Sequence, residues 1–131
     1  MKTQLPIRVY YEDTDAGGVV YYANYLRYAE RGRTEFFHAA GFSNSEFLQA
    51  EKPVAFMVRR CEVDYLKPAR LEDDLIVETE VEELGGASLT FRQTVRRGEE
   101  ELVIMKVVVV CAQLTGRPSR LPKELREKLT D

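Results

Sequence analysis

Apolar residues change their spacing along the chain, and the change separates a helical front part from a strand-rich rear part. From about Tyr21 to Ala40 they recur every three or four residues, which is the period of an amphipathic helix. Gly41 supplies a stop signal. Gly32 lies in the middle of this segment, where glycine costs about 1 kcal/mol relative to alanine. Close approach of a second backbone would explain that glycine, so we expect the helix to lie against a sheet.

Alternation of apolar and polar residues in the rear half predicts antiparallel strands joined by short turns. The alternating runs are 75–82 and 88–95, and Gly85-Gly86-Ala87 lies between them. A three-residue loop there, followed by a second hairpin through Gly98, puts matching side chains opposite one another. The predicted facing pairs are Val81 with Phe91, Glu80 with Arg92, Phe91 with Val107, and Val95 with Val103.

Three shorter elements complete the expected order. Ile7 to Tyr11 has the pattern of a strand, and Ser43 to Glu46 has the spacing of a helix-capping box. Leu121 to Leu129, with Pro122 as a first-turn residue, predicts a C-terminal helix. A strand, a long helix and then antiparallel strands make an α+β fold with one helix on the sheet. At 131 residues the chain fits a single domain, 1–131.

The most apolar stretch, Leu102 to Ala112, is β-branched and therefore typical of a strand buried on both faces. It is far too short to span a bilayer, and the N-terminal residues lack the apolar core of a signal peptide. One helix leaves much of the sheet uncovered. We therefore expect the protein to associate with copies of itself. The missing signal peptide predicts a cytoplasmic protein.

Charge and cysteine content narrow the function classes. The net charge is −3, with 19 basic against 22 acidic residues, which argues against a dedicated nucleic-acid binder. Cys61 and Cys111 lie in strand-like context, so we expect reduced core thiols in preference to a disulfide or a metal pair.

Three carboxylates and two glycines are concentrated in the segment between the first strand and the long helix, Tyr10 to Tyr25. A helix N-terminus offers unpaired N–H groups that can stabilise an oxyanion on a thioester carbonyl. A nearby carboxylate can attack that carbonyl or activate water. A purely structural turn explains the same composition. A calcium loop fits poorly, because Gly17 and Asn24 stand where its fifth and twelfth ligands belong.

The rest of the chain offers little competing chemistry. His38 is the one histidine, and it lies near the end of the long helix, where it is expected to stabilise that end. No Ser-His-Asp arrangement and no Cys/His zinc set can be assembled from these residues, so no metal is expected. Both absences direct attention to a carboxylate.

The residues Tyr11-Glu12-Asp13-Thr14-Asp15-Ala16-Gly17-Gly18-Val19-Val20-Tyr21, followed by Asn24-Tyr25 and Glu30, resemble the signature of the 4-hydroxybenzoyl-CoA thioesterase family of hot-dog-fold proteins. The Tol-Pal-associated acyl-CoA thioesterase branch is the closer match. Similarity returns at Tyr65-Leu66-Lys67-Pro68-Ala69-Arg70-Leu71-Glu72-Asp73 and, more weakly, from Val109 to Leu125. The resemblance implies a single hot-dog domain whose antiparallel sheet wraps around one long helix.

The resemblance also implies site residues. Asp15 matches the family's catalytic carboxylate, acting as a nucleophile or as a general base for water. Tyr22 stands where the family polarises the thioester carbonyl with a backbone N–H, and many members of the Tol-Pal branch have histidine there. Gly18 would let the substrate approach the backbone.

Nucleotide phosphates of the substrate need basic partners. The hydroxybenzoyl-CoA enzymes are basic around 83–89, where this chain has Leu84-Gly85-Gly86-Ala87. The remaining candidates are arginines, whose planar fork suits phosphate. They are Arg117, Arg120, and Arg59 or Arg60.

The resemblance implies acyl-CoA as substrate, no cofactor, and a homotetramer (a dimer of dimers) or a homodimer. Acyl carrier protein is a further partner that it suggests. The competing hypothesis from another class is a non-catalytic acyl-thioester binding or scaffold protein with the same fold. Hot-dog dehydratases are less suitable, because they use a histidine near the helix start and this chain has none there.

Overall fold

The computed structural model describes residues 1–130, which form one antiparallel sheet with helices against it. The strands are β1 (Lys2–Arg8), β2 (Val54–Tyr65), β3 (Asp74–Leu84), β4 (Ser88–Arg97) and β5 (Glu100–Gln113). The helices are α1 (Asn24–Ala39), α2 (Asn44–Gln49) and α3 (Lys123–Thr130), and a short 3-10 turn covers Tyr11–Asp13. The strand order is β1-β3-β4-β5-β2, so β1 and β2 are the two edges.

The predicted strand register is confirmed in both hairpins. All four predicted pairs face each other across β3, β4 and β5. The sheet reaches this register with one feature that the sequence did not predict. A register shift between Val81 and Glu83 leaves Glu82 as an extra residue, a β-bulge just before the Gly85–Ala87 loop.

The first strand is displaced from its predicted position. Strand β1 is Lys2–Arg8, not Ile7–Tyr11, and it contains Pro6. Proline is tolerated there because β1 is an edge strand, which pairs with β3 on one side and has no strand to bond with on the other. The amide N–H of Tyr10 then donates to the Asp13 carboxylate at 2.9 Å, which closes the 3-10 turn and ends the extended backbone.

Helix α1 lies against the sheet at very short distance, as Gly32 predicted. A Cβ atom at position 32 would lie 2.8 Å from Thr79 Oγ1, 2.8 Å from Val77 Cγ1 and 2.9 Å from Gln93 Nε2. Such distances leave no room for a methyl group. The buried face of the helix covers mainly β1 and β3 and part of β4, while a cleft opens on its other side toward β2.

Strand β5, predicted to be buried on both faces, is fully buried on only one of them. Its inward residues, from Val103 to Cys111, are buried in the core, whereas Ile104, Val108 and Val110 on the outer face are half-buried and Lys106 is exposed. The two thiols differ in the same way, since Cys111 is buried and Cys61 is exposed on the edge strand β2. The expectation of a core thiol is therefore wrong for Cys61. No helix within residues 1–130 is long and apolar enough to cross a membrane.

Candidate active site

Asp15 lies at the start of a small hairpin between the 3-10 turn and α1. Its N–H donates to the Val19 carbonyl at 2.9 Å, and its own carbonyl accepts the Gly18 N–H at 3.0 Å. Gly18 has a φ of +79°, a left-handed conformation in which side chains are strained. The backbone conformation of the turn therefore requires glycine at position 18, in addition to the predicted close approach of a substrate.

The Asp15 side chain is exposed and held by only one of its oxygens. Oδ1 accepts the Gly17 N–H at 2.8 Å, and Oδ2 makes no hydrogen bond within residues 1–130. A Cβ atom at Gly17 would lie 3.2 Å from that same Oδ1. The carboxylate is thus oriented by its own loop, with one oxygen free to meet a reacting group.

A single carbonyl fastens this loop to the beginning of the long helix. The oxygen of Asp13 accepts the Tyr21 N–H and the Asn24 side-chain amide, both at 2.9 Å. Asn24 is 5% exposed, and its Oδ1 accepts from Arg27 at 3.0 Å. These bonds hold the Asp15 hairpin next to the first turn of α1.

The helix start presents free backbone donors. Helix α1 starts at Asn24. A hydrogen-bonded turn precedes it, in which the Asn24 N–H donates to the Tyr21 carbonyl at 2.8 Å. Within the described chain, no acceptor receives the amide N–H of Tyr22 or of Ala23. The helix begins at Asn24, later than the predicted Tyr21, and Tyr22 lies in the turn immediately before it, next to the positive end of the helix dipole.

Tyrosine rings surround this helix start. The Tyr22 ring is 61% exposed and meets Tyr65 edge-on, with 6.0 Å between ring centroids. Tyr65 also donates its hydroxyl to the Tyr22 carbonyl at 3.4 Å, and its ring lies 5.8 Å from that of Tyr25. The two sequence motifs that contain Tyr22 and Tyr65 are therefore neighbours in space.

The second motif supports the loop from the other side. The Val20 N–H donates to the Ala69 carbonyl at 2.9 Å, and the Ala69 N–H donates to the Tyr25 hydroxyl at 3.0 Å. Burial raises the pKa of Tyr25, although its bond to Ala69 opposes the shift. Ala69 is fully buried. Sequence analysis assigns no role to Asn24 or Ala69, because hydrogen bonds made to the backbone across the fold leave no local pattern.

The predicted phosphate-binding arginines fall into two separate places. Arg59 is the extra residue of a β-bulge in β2, and with Arg60 and Lys106 it lines a cavity of about 250 Å³. Arg117 and Arg120 are exposed in the segment between β5 and α3, and neither lines that cavity. The lining of this cavity thus includes Arg59 and Arg60 but not Arg117 or Arg120.

The Gly85–Ala87 loop is reached by arginines from the C-terminal segment. Arg126 donates to the carbonyls of Gly85 and Gly86, and the Arg120 guanidinium lies 3.9 Å from the position of a Cβ at Gly86. Basic side chains from the C-terminal segment therefore lie at a loop that itself contains none. His38, by contrast, is exposed in the last turn of α1.

Comparison with known proteins agrees with this architecture. Residues 17–104 match the family model described as the thioesterase superfamily. The acyl-CoA thioester hydrolase YbgC of Escherichia coli is 48% identical over 92% of this chain and 90% of its own length. The acyl-CoA thioesterase YbgC of Haemophilus influenzae is 45% identical over 92% and 89%. A probable thioesterase from Bartonella henselae superposes with a TM-score of 0.91, at 36% identity, over 93% of this chain and all of that one. The chain belongs to the thioesterase superfamily and has its single-domain hot-dog fold.

Proposed function

We propose that the protein hydrolyses acyl-CoA thioesters to the free acid and CoA, with Asp15 as the catalytic carboxylate. The observation that carries the proposal is the pairing of a free carboxylate oxygen on Asp15 with unpaired N–H groups at the helix start. The Asp13 carbonyl holds these two features side by side. Relatives named as acyl-CoA thioesterases, 45% and 48% identical over most of the chain, support the same activity.

The amide of Tyr22 serves as the oxyanion donor. Negative charge develops on the thioester oxygen when the carbonyl carbon is attacked, and a fixed backbone N–H stabilises it without reorganising. This role needs only the main chain, so tyrosine at position 22 performs it as well as histidine. The exposed Tyr22 ring then lines the approach to the carbonyl.

Asp15 acts through its free oxygen along one of two routes. As a nucleophile it forms an acyl–enzyme anhydride, the C–S bond breaks, and CoA leaves as a thiolate that takes a proton from water; a second water then hydrolyses the anhydride. As a general base it removes a proton from water, whose oxygen attacks the carbonyl directly. Single turnover in ¹⁸O-water tests for the first route, because only an anhydride that water opens at its Asp15 carbonyl leaves ¹⁸O in Asp15 and none in the released acid.

For the nucleotide phosphates we propose Arg117 and Arg120, near the Gly85–Ala87 loop, with Arg59 as a separate candidate at its bulge. Arg120 is favoured by its position beside Gly86, at the loop where related enzymes are basic. Gly18 contributes its backbone to the substrate-binding surface. No resident cofactor or metal enters this proposal.

The protein is also proposed to work as a homo-oligomer, a homodimer or a homotetramer. The edge strand β2 leaves one side unpaired over 12 residues, and it carries the exposed side chains Met57 and Val58. A long unpaired edge strand is a surface on which a second chain can pair. Sedimentation equilibrium should give a mass at least twice 15.1 kDa, and a monomer at micromolar concentration would contradict this part.

Three finer assignments rest on the sequence alone. They are a cytoplasmic location, a link to the Tol-Pal system, and contact with acyl carrier protein. Recovery of acyl carrier protein in a low-salt pull-down supports the third, and repeated failure to recover it argues against it. A preference for hydroxybenzoyl-CoA over aliphatic thioesters is tested with the substrates described next.

The experiment that tests the proposed activity measures free-thiol release from short, medium, long-chain and aromatic acyl-CoAs. Turnover of at least one of them establishes the thioesterase. Stabilisation by acyl-CoA without thiol release would instead indicate the binding or scaffold protein.

A further inference from the structure

Gln93 forms a polar centre in the sheet directly beneath α1. It is fully buried, and its Nε2 donates to the Ala29 carbonyl at 2.8 Å and to Thr79 Oγ1 at 2.9 Å. A carbonyl oxygen accepts but never donates, so the amide nitrogen must face Ala29. The Gln93 oxygen is therefore fixed on the opposite side, where it accepts from Arg33 Nη1 at 2.9 Å.

Arg33 is a half-buried cation that Gln93 positions. Burial lowers the pKa of its guanidinium, which the neighbouring Glu30 charge opposes. Gln93 is its one hydrogen-bond partner within residues 1–130, and no carboxylate of that range comes within 4.0 Å. A guanidinium carries five N–H donors, so most of the Arg33 donors have no acceptor within residues 1–130.

These free donors face a cleft between α1 and the strands β2 and β5. The cleft has a volume of about 270 Å³, which suits an acyl group and is too small for a whole acyl-CoA. Its walls are apolar at Phe37, Phe56, Phe91 and Val109, whereas the polar groups come from Glu30, Arg33, Thr34 and Asn44. An apolar wall with a cation in it fits a carbon chain that carries an oxygen.

The cleft and the candidate active site lie along one helix. Tyr22 lies two residues before α1, and Arg33 is nine positions beyond the first helical residue, Asn24, which is about 13.5 Å along the helix. Side chains on a helix lean toward its N-terminus, which shortens the distance from the guanidinium to the thioester. Arg33 would therefore meet an acyl group well beyond its carbonyl carbon.

We propose that Arg33 selects the acyl group, favouring chains that offer a hydrogen-bond-accepting oxygen several carbons from the thioester over unsubstituted chains of equal length. The proposal rests on the proposed thioesterase function. An unsubstituted chain would displace water from the Arg33 donors and replace it with nothing. A hydroxyl or keto oxygen restores that hydrogen bond. A carboxylate is less suitable, because Glu30 already places a negative charge in the cleft.

The test compares kcat/KM for medium-chain acyl-CoAs of equal length that are unsubstituted or carry a distal hydroxyl, keto or carboxylate group. The wild type should prefer the neutral oxygen-bearing chains about tenfold, equivalent to 1.4 kcal/mol. Arg33→Met should abolish that preference. Arg92→Met, an exposed arginine on the other face of the sheet, is the matched control and should keep it.

Equal ratios in the wild type and Arg33→Met would overturn the proposal, as would a wild type without any preference. A preference for the carboxylate that disappears in Arg33→Met supports the role of Arg33 and identifies the oxygen as anionic. Arg33→Lys, which keeps the charge and loses the fork, should retain a reduced preference if Arg33→Met does not fold. If no thioester is hydrolysed, the proposed function fails; calorimetry with the corresponding thioether analogues then decides on Arg33 by itself.

Discussion

The side-chain amide of Asn24 donates to the main-chain carbonyl of Asp13 at 2.9 Å, and this bond joins the candidate catalytic loop to the helix that carries the oxyanion donor. Asn24 is nearly fully buried, so water cannot replace its side chain at that carbonyl. Together with the Tyr21 N–H, which donates to the same carbonyl, this bond holds the Asp15 loop in place relative to Tyr22.

Replacing Asn24 should therefore damage catalysis more than stability. Asn24→Ala is expected to lower kcat about 10- to 100-fold, because small displacements of reacting groups have effects of that size. The free energy of unfolding should fall by only about 1–2 kcal/mol, the value of one or two hydrogen bonds. Steady-state kinetics and urea unfolding on the same preparation measure both. A variant that is destabilised but keeps full kcat would show that the bond does not position the loop.

Gly32 is predicted to be intolerant of a single methyl group. In Gly32→Ala the new Cβ would lie 2.8 Å from Thr79 Oγ1 and from Val77 Cγ1, so the helix must move away from the sheet. Overpacking of this kind costs about 1–3 kcal/mol, more than the ~1 kcal/mol of helix propensity that alanine contributes. Urea unfolding should show a net loss of stability. Gly41→Ala has open space around its Cβ but a φ of +93°, so its cost should come from backbone strain alone.

The outer face of the sheet contains an ion pair whose contribution depends on pH. Glu78 accepts from Arg96, and this hydrogen bond lowers the pKa of Glu78 below its ordinary value of 4.5. A depressed pKa means that the ionised form stabilises the fold above pH 4.5 and that this stabilisation disappears as the pH falls through the folded-state value. Glu78→Gln should cost about 1 kcal/mol at pH 7, and this cost should shrink as the pH falls below 4.5. Urea unfolding across this range checks the prediction, and a cost that does not change with pH would exclude the charge as its cause.

The sequence predicted the repeating elements well and the irregular ones poorly. Helix α1 and the β3–β4–β5 register follow from periodicity and from complementary pairs such as Glu80 with Arg92, which extend over many residues. Strand β1 was misplaced because Pro6 lies within it, and only its position at the sheet edge makes that proline acceptable.

The same contrast holds in the site. The Asp15 segment was recognisable from its motif, which is contiguous in the chain. Its supports were not, because Ala69 acts through its backbone and Gln93 reaches Arg33 from a strand 60 residues away. That Arg59 shares a cavity with Lys106, 47 residues later in the chain, also depends on tertiary structure.

Whether Asp15 performs the chemistry is tested most directly by thiol release from the best acyl-CoA substrate with wild type, Asp15→Asn and Glu12→Gln. Both carboxylates are exposed in the same turn region, so the two variants change charge equally. Asp15→Asn should lower kcat by at least about 100-fold, whereas Glu12→Gln should stay close to wild type. Near-normal kcat in a folded Asp15→Asn protein would contradict the assignment of Asp15 as the catalytic carboxylate.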